Sequence, residues 1–95
     1  MAAYLYASIE ITDPTAFAQY RDGVPAVIAA YGGRYLVRGG TTVRLEGSAP
    51  PPRIVIVEFP DMARLRAFYE SPEYRPLLAI RERAARSTLT AIEGL

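Results

Sequence analysis

Four consecutive residues, Ile54-Val55-Ile56-Val57, limit the fold more tightly than anything else in this chain. They sit inside the β-prone run from Arg53 to Phe59 and are apolar on both faces. The spacing predicts a central strand, covered on both sides. With 95 residues there is room for one domain, 1–95, and therefore one sheet. The remaining sequence must supply what covers each face of that strand.

Residues 3–11 alternate strictly, with Leu5, Ala7, Ile9 and Ile11 on one face and Tyr4, Tyr6, Ser8 and Glu10 on the other, as a strand with two different faces requires. Asp13 then caps a helix that Pro14 opens. Its stripe is Phe17, Tyr20, Val24, Val27 and Tyr31, and Gly32-Gly33 stops it. Gly23 and Pro25 predict a kink or break near residue 23. Arg34 to Glu46 reads as extended, with Gly39-Gly40 as a bulge or tight turn. The stretch 47–52, rich in proline, reads as an exposed polyproline-like loop. After the central strand, Asp61 caps a helix carrying Met62, Leu65, Phe68 and Tyr69. Ser71-Pro72 restarts it, and Leu77, Leu78, Arg81, Ala84 and Ala85 continue it to about Arg86. Thr88 to Glu93 is the last strand. Glu10-Ile11-Thr12-Asp13 and Glu58-Phe59-Pro60-Asp61 form a faint repeat 48 positions apart, each marking a strand that ends where an Asp caps a helix. The order β-α-β-β-α-β is that of an α+β, ferredoxin-like fold: a four-stranded antiparallel sheet with helices on one face and the first and third strands central.

Two helices cover only one face of such a sheet. The uniformly apolar or small set Leu5, Ala7, Ile9, Val55, Val57, Phe59, Leu89 and Ala91 belongs under them. The other face carries Tyr4, Tyr6, Ser8, Glu10, Ile54, Ile56, Glu58, Thr90 and Ile92, a mixed set but too apolar for open water. A second copy packed on it about a two-fold axis would hide both patches, so the chain is expected to be a homodimer.

Composition excludes several functions. There is no cysteine and no histidine, which removes the usual zinc sites, histidine-ligated haem, thiol chemistry and any Ser-His-Asp triad. Neither metal nor organic cofactor is expected. The net charge is +1 with neither sign clustered, which argues against a nucleic-acid partner. No apolar run reaches the length of a membrane helix and no signal peptide opens the chain, so a cytoplasmic location is expected.

Several motifs are then familiar together: Asp13-Pro14, Tyr31-Gly32-Gly33-Arg34-Tyr35, Arg38-Gly39-Gly40, Glu46-Gly47, Pro52-Arg53, Glu58-Phe59-Pro60, Phe68-Tyr69, Ser71-Pro72-Glu73-Tyr74 and Arg81. In this order they resemble the bacterial family known as domain of unknown function 1330, over nearly the whole chain. The resemblance implies a dimeric α+β barrel. Relatives in that superfamily include cofactor-free monooxygenases, an isomerase and haem enzymes, so it implies architecture far more than chemistry.

The default pocket is the sheet face turned to the second copy. Glu58 is the candidate catalytic residue there: buried, it would act as general base, and its alternative is a structural ion pair with Arg38. Tyr6, Arg38, Tyr69, Tyr74 and Arg81 are the candidate ligand-binding residues. Tyr6 either bonds a ligand or is pocket wall. Arg38-Gly39-Gly40 either binds an anion or is a bulge. Tyr69 and Tyr74 flank the Ser71-Pro72 break. Arg81, on an apolar helix face, needs a carboxylate from the protein or from a ligand. The leading expectation is a small-molecule-binding homodimer. The alternative is a cofactor-independent enzyme, monooxygenase- or isomerase-like, transferring a proton on a small aromatic or enolisable compound. A purely structural partner domain is the third.

Overall fold

A computed structural model describes residues 1–48 and 52–95. Strand β1 (Ala3–Ile11) leads to helix α1 (Pro14–Ala30), then β2 (Arg34–Arg38), β3 (Arg53–Phe59), α2 (Met62–Tyr69), α3 (Arg75–Ala84) and β4 (Ala85–Glu93). All neighbouring strands are antiparallel, in the order β2-β3-β1-β4. The first and third strands are central, as the apolar run at Ile54–Val57 requires. The sheet is open, with β2 and β4 at its edges. The Cα atoms fill a slab of 35 × 34 × 16 Å, the thickness of one sheet and one helix layer.

Register confirms the two faces. Leu5 pairs with Val57 and Ala91, and Ala7 with Val55 and Leu89, on the helix side. Tyr4 pairs with Glu58 and Ile92, and Tyr6 with Ile56 and Thr90, on the other. The core is Leu5, Val24, Ile28, Val57, Phe59, Leu65, Phe68 and Tyr74, all on the helix side.

Both predicted Asp caps form. Asp13 Oδ1 accepts from the Ala16 amide at 3.2 Å, and Asp61 Oδ1 from the Arg64 amide at 2.8 Å. The faint repeat thus marks two equivalent events. Gly32, at φ +83, ends α1 with its amide on the Ala29 carbonyl.

Four expectations change. First, α1 runs unbroken through Pro25. Proline has no N–H for the Arg21 carbonyl four residues back. Arg38, from β2, fills that gap: its Nη2 donates to the Arg21 carbonyl at 2.7 Å. Gly23 brings α1 against α3, since a Cβ there would meet Leu77 Cδ2 at 2.8 Å. Arg38→Met should therefore cost about 1 kcal/mol through the unmade bond. In Pro25→Ala, which restores the helical donor, the same substitution should cost less. A double-mutant cycle by urea unfolding checks this, and additive losses would refute it.

Second, β2 stops at Arg38, and of the two alternatives for Gly39-Gly40 the turn holds and the bulge does not. The extra residue is Leu36, between the pairs Tyr35–Val57 and Val37–Ile56. Gly39 turns the chain at φ +66, with its amide on the Ile54 carbonyl at 2.8 Å. Third, the second crossover is two helices. Ser71 Oγ donates to the Phe68 carbonyl at 2.8 Å and accepts from the Tyr74 amide at 3.1 Å, fixing the predicted restart as a turn before Arg75. Fourth, β4 begins at Ala85, directly after α3. The Ala84 carbonyl accepts both the Thr12 and Asp13 amides, and pairing of Ala85 with Ile11 then carries β4 along the whole of β1. Of the polyproline-like reading of 47–52, positions 49–51 lie outside the described residues.

Candidate functional site

The bulge at Leu36 decides which face Arg38 takes. Without it, alternation would put Arg34, Leu36 and Arg38 on one face. The extra residue moves Arg38 to the helix side, opposite Val55, while Arg34 stays opposite Glu58. Arg34 Nε therefore makes the ion pair, at 2.7 Å from Glu58 Oε1, and the expected Arg38–Glu58 pair does not exist. Arg34 donates to Glu58 and holds its carboxyl below the ordinary glutamate value; partial desolvation opposes this, and Tyr4 adds a second bond in the same direction. This is the reverse of a base tuned toward neutrality. A carboxyl lowered in the folded state stabilises the fold above its unfolded pKa, and that contribution disappears as pH falls through the folded value. Wild type should thus lose more stability than Glu58→Gln as pH is lowered below about 4.3, the unfolded glutamate value. Parallel acid titrations of the urea midpoint read the difference, and superimposable curves would count against it.

The six candidate residues fall into two groups. Tyr6 and Glu58 share the face away from the helices, at alternate positions on neighbouring strands. Arg38, Tyr69, Tyr74 and Arg81 are on the helix side. Tyr74 is fully buried in the core, where its hydroxyl shares a 2.9 Å hydrogen bond with that of Tyr20. Burial and the adjoining Tyr74 push the Tyr20 phenol far above its ordinary pKa. Arg81 is 6% exposed, with its guanidinium carbon 5.8 Å from the Tyr20 ring centre. Among the described residues no carboxylate pairs with it, so of the two expected sources of a carboxylate the protein is not one. Burial alone disfavours its charge, but Tyr74 and Tyr20 more than offset this and its pKa rises. The Tyr20 ring meets this charge only in part, for Arg81 Nε is buried with no hydrogen-bond partner among the described residues.

Two cavities lie between sheet and helices, whereas the sequence placed the pocket on the opposite face. A sheet face becomes concave only when something roofs it, and in one chain only the helices do so. The inner cavity, of about 40 Å3, is floored by Leu5, Ala7, Ile9 and Val55 and roofed by Phe17 and Val24. Arg38, Arg53, Tyr20 and Tyr35 supply polar groups at its wall. The outer cleft, of about 590 Å3, is bounded by Leu65, Arg66 and Tyr69 of α2, by Arg75, and by Ala91 of β4. Leu5 and Leu89 line both and stand between them.

Sequence reasoning missed Arg53 and Tyr35. Arg53 pairs with Ile9 and so faces the helices; parity along β3 carried that signal. Its Nε is shut from water with no hydrogen-bond partner among the described residues. Its guanidinium lies against Gly39, where a Cβ would collide with it. Tyr35, opposite Val57, shares this face, and the bulge brings Arg38 onto it, stacked 4.8 Å from the Tyr35 ring centre. Burial raises the Tyr35 phenol, with Arg38 and Arg53 both pulling the other way.

An open antiparallel sheet with one helix layer and a cavity between them defines the ferredoxin-like class. The chain belongs to the family of domain of unknown function DUF1330, whose model matches residues 2–95. Solved structures agree in fold. RPA0582, a protein of unknown function from Rhodopseudomonas palustris, superposes with a TM-score of 0.78 at 21% identity, over 99% of this chain and 82% of that one. SnoaB, described as a cofactor-independent oxygenase from Streptomyces nogalater, gives 0.71 at 15% identity, over 99% and 93%. A dimeric ferredoxin-like protein of unknown function from Jannaschia sp. CCS1 gives 0.68 at 14% identity, over 99% and 100%. No curated protein matches in sequence. No helix among the described residues is long and apolar enough to cross a membrane.

Proposed function

We propose that the chain is a homodimer that binds a small, largely apolar molecule between its sheet and its helices. One observation carries the binding reading: a single apolar floor, Leu5 and Leu89, is left under two adjoining cavities whose walls present arginines and tyrosines. Leu89, only partly buried, lines both cavities. The ligand site then uses Arg38 and Tyr69 of the expected residues. Tyr6 and Glu58 belong instead to the subunit contact.

The dimer reading rests on the other face. Ile92 there is 49% exposed and Val37 37%, beside the partly buried Tyr4, Tyr6, Ile54 and Ile56. Such a patch covers itself when two sheets pack face to face. Two structural relatives are described as dimeric ferredoxin-like proteins. Light scattering at micromolar concentration should give twice the chain mass. Ile56→Glu, which places a charge at the centre of that face, should give the mass of one chain. A single-chain mass for the unaltered protein would refute the dimer.

For binding, thermal shift against a panel of small aromatic and aliphatic compounds should show saturable stabilisation by some members. A flat response across the panel would refute the reading. Turnover is the second reading, favoured by the stacked Arg38–Tyr35 pair, which could hold the oxygen of an enolate. Following a bound ligand by NMR separates the two: an unchanged spectrum is expected for binding, and loss or deuteration of the ligand would favour turnover.

A further inference from the structure

Arg38 and Arg53 are diagonal neighbours on the helix-side face: Arg38 pairs with Val55, and Arg53 lies two residues along β3. Both line the inner cavity. Among the described residues neither has a carboxylate partner. Arg21, which lines the same cavity from α1, turns to the exposed Asp22 next to it, at 3.2 Å. Arg38 gives one N–H to the Arg21 carbonyl, and Arg53 Nε is buried without an acceptor. The exposed Arg38 and the partly buried Arg53 thus bring two permanent cations to one apolar cavity, with donor capacity unspent. Like charges so placed oppose each other until an anion lies between them. Arginine is the side chain best suited to take a carboxylate through two parallel bonds. Gly39 fits this arrangement, because its missing side chain makes room for the Arg53 guanidinium.

We propose that the two arginines of this cavity hold the carboxylate of an otherwise apolar acid, which names the ligand class for the small-molecule reading on which it rests. The floor sets the length. Arg53 lies opposite Ile9, and Leu5 is four residues back along β1, about 13 Å at about 3.3 Å per residue. A cavity of about 40 Å3 takes the carboxylate and the carbon next to it, and the apolar body passes Leu5 and Leu89 into the outer cleft. A phenyl ring on a three-carbon chain, about 9 Å from carboxylate to far ring edge, covers most of that distance once an arginine–carboxylate contact of about 3 Å is added.

The test titrates the full chain calorimetrically with 4-phenylbutyrate and with its primary amide, equal in shape but uncharged. The acid is expected to bind at least tenfold more tightly, with an affinity that falls as salt rises. Arg53→Met should reduce the preference for the acid to near unity, and Arg38→Gln should reduce it in part. Equal affinities for acid and amide in the unaltered protein would overturn this inference and leave the binding reading intact. So would an acid preference that survives Arg53→Met. Binding of neither probe overturns it too, and it is the thermal-shift panel that then decides whether the binding reading falls with it. The acid–amide comparison needs no variant, so a variant that fails to fold leaves it decisive.

Discussion

Phe68→Ala should remove about 3–5 kcal/mol of stability, the cost of truncating a buried aromatic and leaving a void. Phe68 is 1% exposed on α2 and joins every part of the helix side. Its ring centre lies 4.6 Å from that of Tyr74, 5.4 Å from Phe59 and 6.4 Å from Tyr31. These neighbours come from the turn before α3, from β3 and from the end of α1, so the void cannot close by movement of one element. For a domain of this size the loss corresponds to a fall in melting temperature of roughly 15–30 °C. Differential scanning calorimetry gives the value, and a fall under about 5 °C would show that the cluster is not packed as described.

Arg81→Met should cost little. A buried charge replaced by an apolar side chain of similar length is often neutral or stabilising, by up to about 4 kcal/mol. Here no carboxylate is stranded by the change, since Arg81 faces the Tyr20 ring and the Tyr74 phenol, and those two hydroxyls still bond each other. Arg81→Ala should instead cost about 2–5 kcal/mol, because the buried stem is lost and a cavity remains. Urea unfolding of both variants separates stem from charge. A Met variant destabilised by more than about 2 kcal/mol would mean that the guanidinium itself holds the helices together.

The contrast at Arg81 bears on what a sequence can show. That a buried cation needs something was legible; that tyrosines would supply it was not. Residues 20, 74 and 81 meet only once α1 and α3 pack. Pro25 is similar. As a local signal it reads as a helix breaker, and only the approach of β2 brings the Arg38 donor that keeps α1 whole. Both Asp caps, by contrast, act within three residues of themselves and were fully legible.

Alternation along β1 and β3 determined the two faces of the sheet, the central place of the third strand and the β-α-β-β-α-β plan, because side-chain period is a property of each strand alone. The tertiary structure decided where the candidate residues point. One extra residue at Leu36 reverses the parity of everything after it, turning Arg38 toward the helices beside Arg53 while Arg34, before the bulge, keeps Glu58. A bulge is defined by hydrogen bonds to a neighbouring strand, so no period within β2 records it.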